Sequence, residues 1–450
     1  MRAGKASEDS RGHRPVSGGA TTDVGHASGV DGLIAARVGL ADQLRASGRA
    51  GPAVSAVFGI VPRHAFLPQI EAENAYQDSA IVIKSDASGL PVSASTQPAI
   101  MAIMLGQLGL ANGQRVLEIG TGTGYNAALI AEIIGDPNAV VTIDVEPDLI
   151  EQARANLAAA GYAGVNVVCG DGADGVSGHA PYDRIIVTAG AWDLSPQWLS
   201  QLRPDGQIVL PISVRGIQLA AAFWQSGDHW VSKSACRCQF IRMTGALAGP
   251  ESLLPLGPQP GLHAYSVNGP VPDADLLYEA LSGPATELSA GLRAGSVPEL
   301  ADFDLWLTLT QPSLTRLNMM GRHEGRANQA QQRIAGLMRF GGLAQHGSSG
   351  AFGVAAVTAA GGLTQRGDFG IVVQGYGAAG ASLAEYLAGQ AAVWDRLGRP
   401  GADSLELAAY PAGTLVKAPG GSVITDTAHV RLVAGWPATV AAWAGESGAS

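Results

Sequence analysis

Residues 116–131, VLEIGTGTGYNAALIA, constrain the fold of this chain more than any other segment. An apolar run typical of a buried strand leads into three alternating glycines, and an apolar helical pattern follows them. Glycines at such a junction adopt backbone conformations that other residues resist. The segment therefore predicts a strand, a tight turn and a helix, with the turn at the ligand-binding edge of a sheet.

The alternation of strand and helix continues through the first half of the chain. Helical stretches such as DLIEQARANLAAAG separate short apolar runs, namely RVLEIG, VVTIDV, VNVVCG, YDRIIVT and GQIVLPI. This order predicts a doubly wound α/β domain with a parallel, Rossmann-like sheet over residues 31–245. Order is expected to begin at Asp31, as the N-cap of a first helix, and residues 1–30 are expected to form a disordered tail.

The pattern changes again after the sheet region. Residues 246–270 are dense in Pro and Gly and predict a linker, and residues 271–440 predict a smaller α+β domain. The helices expected in this domain are DADLLYEALSG and ASLAEYLAGQAAVWDRLG. The strands expected in it are FDLWLTLT, AFGVAAVTA, FGIVVQGYG, SLELAAYPAG and HVRLVAGW.

Composition disfavours several classes of partner. The 28 Lys and Arg are outnumbered by 38 Asp and Glu, which argues against a nucleic-acid or anionic-membrane binder. No apolar run reaches the ~18 residues of a membrane helix, and the first residues contain no apolar signal core, so a cytoplasmic location is expected. The three Cys and nine His show no metal-binding spacing, and no metal site is predicted.

The spacing of the glycines distinguishes between ligands. Gly120, Gly122 and Gly124 form G-x-G-x-G, so the third glycine comes one residue earlier than in the dinucleotide motif G-x-G-x-x-G. Glu118, in the preceding strand, would repel a pyrophosphate but attract the ammonium and sulfonium groups of S-adenosylmethionine. The carboxylate of that ligand can use the helix N-terminus. We therefore predict that S-adenosylmethionine is bound by the glycine turn and the strand before it, that is, by Glu118, Gly120, Thr121, Gly122 and Gly124.

Three further positions fit the same ligand. Asp144 ends the next predicted strand, where a carboxylate would bond a ribose diol. Asp171 and Gly172 follow the third strand, beside the expected position of adenine. Each has a plainer alternative, a helix N-cap for Asp144 and a simple turn for Asp171 and Gly172. Their order behind the glycine turn favours cofactor binding.

With these motifs in place, residues 31–245 resemble the protein-L-isoaspartate O-methyltransferase family. The segments that carry the resemblance are VPRHAFLP, AYQDSAIVI, STQP, VLEIGTGTGYNAALIA, VVTIDVEPDLI, GDGADG, APYDRIIVTAG and QLRPDGQIVLPI. The resemblance implies an S-adenosylmethionine-dependent carboxyl O-methyltransferase that acts on an aspartyl or L-isoaspartyl side chain of a peptide or protein.

The family's active-site segment is similar to S-Q-P, and this chain has Thr96, Gln97 and Pro98, preceded by Ser95. The resemblance implies that the hydroxyls of Thr96 and Ser95 orient the substrate carboxylate, with Gln97 and Pro98 on the substrate side. The preceding stretch, IKSDASGLPVSAS, departs from the family's shorter approach to this segment. That departure indicates either an altered substrate or drift in a surface loop.

Three residues at the end of the fourth strand, Thr188, Ala189 and Gly190, are also expected beside the substrate. Open α/β sheets bind ligands at the carboxyl ends of their strands. Asp78 is expected either to shape the cofactor pocket or to support a helix or loop. Tyr125, directly after the glycines, is expected to pack within the first helical turn. No general base is predicted, because a carboxylate acceptor is already ionised near neutral pH.

The C-terminal half is similar, through FDLWL, a late WDR helix and YPAG, to peptide-tailoring methyltransferases of the FxLD lanthipeptide type. That resemblance implies a ribosomally made, modified peptide as substrate, recognised by residues 271–440, for example by strand addition. Two alternatives stay open: a general protein-L-isoaspartate repair methyltransferase and, in another class, a non-catalytic peptide-binding module. The sequence also leaves open the oligomeric state and whether the methyl ester or a succinimide is released.

Overall fold

A computed structural model of the chain describes residues 24–87, 89, 91–250, 252–257, 263–266, 273–311, 315–320, 342–346, 352–359, 369–418 and 422–437. Residues 1–23 of the predicted tail lie outside this part of the chain. The described residues form two large β-sheets and one two-stranded sheet, with helices packed against them.

Helices and strands are numbered in chain order. The described helices are α1 (Val24–Ala46), α2 (Pro52–Phe58), α3 (Pro98–Leu108), α4 (Tyr125–Ile134), α5 (Pro147–Ala159), α6 (Pro196–Gln201), α7 (Ala274–Ser282), α8 (Val297–Thr310) and α9 (Gly380–Arg396). The described strands are β1 (Ile81–Ser85), β2 (Pro91–Ser95), β3 (Val116–Ile119), β4 (Val140–Asp144), β5 (Asn166–Cys169), β6 (Tyr182–Val187), β7 (Leu202–Val214), β8 (Ile217–Ser226), β9 (His229–Ser232), β10 (Ala235–Cys238), β11 (Ser252–Pro255), β12 (His263–Ser266), β13 (Thr286–Ala294), β14 (Thr315–Met320), β15 (Gly342–His346), β16 (Phe352–Ala359), β17 (Phe369–Tyr376), β18 (Glu406–Pro411), β19 (Val423–Asp426) and β20 (Val430–Gly435).

The first half of the chain builds the parallel sheet that the sequence predicts. Strands β5, β4, β3, β6 and β7 lie side by side in that order and run parallel. The direction of winding reverses between β3 and β6. Such a reversal opens a crevice outside the carboxyl ends of the strands, where open α/β sheets bind ligands. The predicted α/β, doubly wound fold class is confirmed.

The same sheet continues beyond β7 with antiparallel strands. β8 pairs with β7, and β9 and β10 both pair with β8. From the other end of the chain, β18 pairs with β9, β20 with β18 and β19 with β20. The resulting eleven-stranded sheet contains strands from both sides of the predicted linker at 246–270.

A second sheet contains seven antiparallel strands in the order β11, β12, β14, β15, β16, β17, β13. Its first two strands fall within the stretch predicted as a linker. Helix α9 packs against β13, β16 and β17, as its one-sided apolar pattern predicts. Helix α8 packs against α9 and against the same sheet.

Two predictions of local structure are wrong. FDLWLTLT is not a strand but most of α8, whose N-cap Ser296 accepts a hydrogen bond from the amide of Glu299. This helix is buried on nearly all sides, so its sequence shows no one-sided helical pattern. Asp31 does not start the first helix but lies within α1, which begins at Val24. The other helices and strands quoted for the C-terminal half are confirmed.

Two hydrophobic clusters cover the two faces of the parallel sheet. One joins Val116 and Ile186 to apolar residues of the N-terminal helices. The other starts from Leu117 on the opposite face and runs without a break to Trp306 and Trp394 in the C-terminal half. Successive strand residues point to opposite faces, which explains why adjacent residues enter different clusters. The N-terminal half, which the sequence predicts to be the methyltransferase domain, and the C-terminal half therefore share one hydrophobic core.

Candidate active site

The glycine turn joins β3 to α4 at the crevice of the parallel sheet. Gly120, with φ +103°, has no room for a side chain, since a Cβ would lie 2.5 Å from the Thr188 hydroxyl oxygen. Gly124, with φ +86°, is the N-cap of α4 and packs against Leu157. Gly122, with φ +51°, differs because a Cβ there would meet no atom within 4 Å. The fold requires the first and third glycines, and Gly122 borders open space.

A chain of hydrogen bonds lies beneath the turn. The Glu118 carboxylate accepts one from Asn126 Nδ2 at 2.8 Å and one from the Thr142 hydroxyl at 2.7 Å. The hydroxyl oxygens of Thr142 and Thr121 lie 2.8 Å apart. Burial raises the pKa of Glu118 to about 7, although both hydrogen bonds favour the charged form. Glu118 is fully buried, and its two hydrogen bonds hold the residues around the glycine turn in place. Contact between Glu118 and a cationic ligand stays a prediction.

Asp144 ends β4 beside the turn. Its carboxylate accepts hydrogen bonds from the amide of Gly122 at 3.0 Å and from the amide of Glu146 at 3.2 Å. The side chain is half-buried, and each oxygen keeps a second lone pair for a further donor. The alternative role of N-cap is wrong, because Glu146 occupies the N-cap position of α5.

Asp171 and Gly172 begin a short 3₁₀ helix after β5. The Asp171 carboxylate accepts hydrogen bonds from the amides of Ala173 at 2.9 Å and Ala246 at 3.0 Å. Gly172 has no room for a side chain, since a Cβ would lie 2.7 Å from Cγ2 of Ile119, the last residue of β3. This close contact brings the loop to the edge of the sheet that carries the glycine turn.

Residues 95–98, which we call the acceptor segment, lie between a hairpin and a helix. Ser95 ends β2 and is buried, and Pro98 is the first residue of α3. Thr96 is only half-buried. In the described part of the chain, the Thr96 hydroxyl has no hydrogen-bond partner. The segment therefore presents one available hydroxyl on a well-anchored backbone.

Arg63 connects the acceptor segment to the first residue of α4. Its guanidinium donates to the Ser95 hydroxyl oxygen at 3.2 Å and to the Thr96 carbonyl oxygen at 2.9 Å. Its central carbon lies 5.7 Å from the ring centre of Tyr125, the first residue of α4. Tyr125 is buried and packs against Phe66, as expected for a first-turn residue. The only sequence feature that could indicate a role for Arg63 is its position as a charged residue within the mostly apolar, Pro-bounded segment VPRHAFLP.

Asp78 holds the other end of the acceptor segment. One carboxylate oxygen accepts a hydrogen bond from the amide of Ala99, in the first turn of α3, at 2.9 Å. The other accepts one from the side-chain amide of Gln97 at 3.2 Å. Asp78 thus supports a helix start, one of the two roles that the sequence leaves open.

Thr188, Ala189 and Gly190 follow β6 at the same edge of the sheet. The Thr188 hydroxyl donates to the carbonyl of Gly120 at 2.7 Å and so holds the glycine turn. Gly190 is buried, and its backbone bonds the segment at Ile241 and Met243. Ala189 is half-buried. Contact between these three residues and a substrate stays a prediction.

A surface contact joins the β1–β2 hairpin to the edge of the sheet that carries the glycine turn, which we call the cofactor edge because a cofactor is predicted there. Lys84, in the stretch that departs from the family, pairs with Glu146 at 2.6 Å and with Asp148 at 2.9 Å. Glu146 is the residue whose amide bonds Asp144. The hairpin that leads into the acceptor segment therefore also contacts the loop after β4. The sequence gives no signal for this pairing, because its members lie far apart along the chain.

Among the residues that the structure describes, no cluster of three or more His, Cys, Asp or Glu side chains is placed to hold a metal ion. None of the described helices is both long and apolar enough to cross a membrane.

A parallel sheet with a G-x-G-x-G turn at its reversal point, and acidic residues at the ends of three adjacent strands, defines an S-adenosylmethionine-dependent methyltransferase. Residues 36–248 match the family described as protein-L-isoaspartate(D-aspartate) O-methyltransferase. The chain is 42% identical over 173 residues to protein-L-isoaspartate O-methyltransferase 2 of Archaeoglobus fulgidus, covering 38% of this chain and 76% of that relative. It is 38% identical over 185 residues to protein-L-isoaspartate O-methyltransferase of Methanococcoides burtonii, covering 41% and 88%.

A solved protein-L-isoaspartate O-methyltransferase structure aligns with 83% of this chain and 96% of its own, at 23% identity and a TM-score of 0.45. From its sequence relatives, the chain belongs to the protein-L-isoaspartate O-methyltransferase family.

S-adenosylmethionine is the cofactor of this family, and the residues present fit it. The open space at Gly122 lies beside the N-terminus of α4, whose amides favour a carboxylate. Asp144 borders the same space and keeps acceptor capacity for a ribose diol. Asp171, like Asp144, accepts one backbone amide on each carboxylate oxygen, and the contacts of both residues with the cofactor stay predictions.

Proposed function

We propose that this chain transfers a methyl group from S-adenosylmethionine to the carboxylate of an aspartyl or L-isoaspartyl side chain in a peptide or protein. The observation that supports this best is the Thr96 hydroxyl, which is partly exposed and has no partner in the described part of the chain. It stands on a backbone that Arg63 and Asp78 hold in place. Such a hydroxyl donates to a carboxylate without first losing an internal hydrogen bond.

The chemistry asks little of the protein beyond positioning. When bound, S-adenosylmethionine supplies an electrophilic methyl group, which a carboxylate oxygen takes up as an ester while sulfur keeps the electron pair of the broken bond. The acceptor is already ionised near neutral pH, so no side chain has to remove a proton. The residues of the chain therefore contribute orientation and the exclusion of water. Thr96 orients the carboxylate, and the buried Ser95 contributes through its bond to Arg63.

Four elements would hold the cofactor. The glycine turn and the N-terminus of α4 take its amino-acid part, Asp144 takes the ribose, and the loop at Asp171 and Gly172 takes the adenine. Glu118, beneath the turn, fixes the backbone of this site through Asn126 and Thr142.

We further propose that the substrate is a ribosomally made, modified peptide, bound in part by residues 271–440. The second sheet supports this, because β13 is its terminal strand and pairs only with β17 among the described strands. An extended peptide gains main-chain hydrogen bonds by adding to such an edge. The β1–β2 hairpin, with Val82 exposed and Ser95 at its end, adds surface next to the acceptor segment that the shorter family approach lacks. The methyl ester has a better leaving group, methoxide, than a carboxylate has. A neighbouring backbone amide nitrogen can therefore attack the ester carbonyl and close a succinimide, while the methoxide takes the amide proton and leaves as methanol.

The test compares acceptors. The purified protein is incubated with labelled S-adenosylmethionine and peptides of three kinds: isoaspartyl peptides of unrelated sequences, their aspartyl counterparts, and any short precursor peptide encoded beside the gene. Mass spectrometry detects the gain of one methyl group. Methylation of the precursor peptide alone would support tailoring. Methylation of any isoaspartyl peptide, independent of sequence, would support the alternative of general repair.

A variant pair tests the role of Thr96. Thr96→Val removes the hydroxyl while keeping the volume, and we expect kcat/KM to fall at least about tenfold. Thr96→Ser keeps the hydroxyl in the form typical of the family and should retain most activity. Equal activity of the two variants would overturn the assignment. Absence of any cofactor binding by calorimetry would instead favour the non-catalytic binding module.

A further inference from the structure

The most unusual side chain near the proposed site is Arg63. It is fully buried, at 0% exposure, the lowest of any charged side chain in the described part of the chain apart from Glu118. Its hydrogen-bond partners there are neutral: the Ser95 hydroxyl and the carbonyls of Gln77, Ser79 and Thr96. Burial lowers the pKa of Arg63. An arginine nevertheless keeps its proton, so a positive charge stays buried without an ion-pair partner among these residues.

Burying a cation without a directly paired opposite charge carries a large desolvation penalty, which lowers stability unless the charge serves a function. Holding the acceptor segment by hydrogen bonds alone would not require a charge. The nearby Asp78 carboxylate attracts the Arg63 guanidinium without an ion pair between them, and its oxygens accept hydrogen bonds from Ala99 and Gln97. The Nε atom of Arg63 is buried and has no partner in the described part of the chain. The guanidinium, not the carboxylate, is the charged group that is bonded to Ser95 and Thr96.

We propose that Arg63 is the positioning residue of the acceptor segment, and that its charge makes the site select a carboxylate over a carboxamide. This inference rests on the proposed function. Arg63 holds the Thr96 carbonyl at 2.9 Å, which fixes the same residue's free hydroxyl toward the acceptor. A substrate carboxylate then enters the field of a cation that the interior screens weakly. A carboxamide of the same shape gains no such attraction.

The experiment uses the full chain and two substitutions. Arg63→Met removes the charge and the hydrogen bonds, and Arg63→Lys keeps the charge but not the forked donor geometry. Arg203→Met, at a half-exposed arginine paired with Asp183, is the control for loss of one positive charge. Each protein is tested for affinity toward an isoaspartyl peptide and toward the same peptide with a carboxamide at that side chain, with the cofactor product S-adenosylhomocysteine present.

We expect the parent protein to prefer the carboxylate peptide at least about tenfold. Arg63→Met should bring this preference close to one, while Arg63→Lys should keep the preference and lose kcat. A merely structural role would weaken both peptides equally and leave their ratio unchanged, which would overturn the selectivity part of the proposal. S-adenosylhomocysteine affinity should stay within about threefold in all variants, because Arg63 does not contact the glycine turn itself.

A second measurement needs no substrate. Hydrogen exchange at the amides of the acceptor segment should speed up at least about tenfold in Arg63→Met and remain unchanged in Arg203→Met. Unchanged exchange in Arg63→Met would overturn the positioning role. If the parent protein binds neither peptide and methylates neither, the proposed function is wrong for these acceptors, and the exchange comparison still decides whether Arg63 positions the segment.

Discussion

The two halves of the eleven-stranded sheet differ in what they carry. In the parallel half, β3 to β7, candidate site residues lie at or just after the strand ends: Asp144 after β4, Asp171 after β5 and Thr188 after β6. The antiparallel half, formed by β8, β9, β10, β18, β19 and β20, carries none of the predicted site residues. Parallel strands all end at one edge, so their loops converge, whereas antiparallel strands send successive loops to opposite edges. The parallel half therefore carries the candidate site residues, and the antiparallel half enlarges the hydrophobic core.

The halves are joined by the pairing of β7 with β8, and a further contact between them is at Asp193, in the loop after β6. Its carboxylate is 2% exposed and accepts hydrogen bonds from the Thr427 hydroxyl at 2.6 Å and from the amide of His429 at 2.9 Å. Its oxygen also lies 2.8 Å from Nδ1 of His429. Two residues further on, the Ser195 hydroxyl donates to the carbonyl of Ala173, in the loop beside the expected adenine. The C-terminal strands therefore support the loop that is predicted to border the cofactor.

The largest expected effect is at this junction. Asp193→Ala should lower the free energy of unfolding by about 4 kcal/mol, because several donors lose a buried, charged acceptor together. Asp205→Ala, at an exposed carboxylate in β7, is the matched control and should change it by less than about 0.5 kcal/mol. Chemical denaturation measures both. Equal stability of the two variants would show that the C-terminal strands do not depend on this contact.

The second prediction concerns the parallel half and its buried Glu118. Burial raises its pKa from an ordinary value of 4.5 to about 7. Between these values the folded protein holds a proton that the unfolded chain has lost, so stability falls as pH rises from about 4.5 to about 7 and then levels off. The decrease should reach about 3 kcal/mol. Glu118→Gln should flatten this slope, and Glu151→Gln, at an exposed position in α5, should leave it intact.

Measuring unfolding free energies across this pH range tests the prediction directly. A slope that survives in Glu118→Gln would mean that other groups cause it. A rise of stability with pH in the parent protein would contradict the raised pKa of Glu118 itself.

The comparison also separates what sequence can predict from what it cannot. In the parallel half, each strand is followed directly in the sequence by its turn and helix, so local patterns predict all three. VLEIGTGTGYNAALIA alone predicts β3, the glycine turn and α4. In the antiparallel half, β18 and β20 are predicted as strands, but not as neighbours of β9. Pairing between segments so distant in the chain depends on which apolar faces meet in the folded core, and no local pattern encodes that choice.

The candidate site shows the same division. Its glycines and Asp144 follow from local spacing. The partner of Glu118, Thr142, follows only from the register of β3 on β4, where the two residues are directly opposite. Arg63 reaches the acceptor segment from a different part of the chain, so its role has no local signal. FDLWLTLT predicts the wrong element type because burial on nearly all sides removes the periodicity that identifies a helix.

A third prediction distinguishes two reasons for a glycine in the glycine turn: room for the cofactor and a backbone conformation with positive φ. Gly122→Ala puts a methyl group into open space and strains a residue with φ +51°, which should cost about 1 kcal/mol of stability. Gly109→Ala, at the end of α3 with φ +60° and equally open surroundings, should cost the same. Only Gly122→Ala should weaken S-adenosylmethionine binding, at least about tenfold by calorimetry. Equal affinities in the two variants would place the cofactor away from Gly122.

The smallest expected effect contrasts two surface ion pairs, one in each half. Lys84 joins the β1–β2 hairpin to Glu146 and Asp148 near the cofactor edge, and Lys233 pairs with Glu406 in the antiparallel half. Replacing either lysine with Met should shift the melting temperature by no more than about 2 °C, because exposed pairs contribute little.

Function should distinguish the two lysines where stability does not. Lys84→Met frees the hairpin from the loop that carries Asp144, so KM for the cofactor should rise about two- to threefold at low salt, and the difference should shrink as salt screens the pair. Lys233→Met should leave KM unchanged at every salt concentration. If both lysines behave alike, the hairpin is not coupled to the cofactor edge. If Lys84→Met also alters the choice between isoaspartyl and aspartyl peptides, the hairpin takes part in reading the substrate, and the departure of IKSDASGLPVSAS from the family is functional rather than drift.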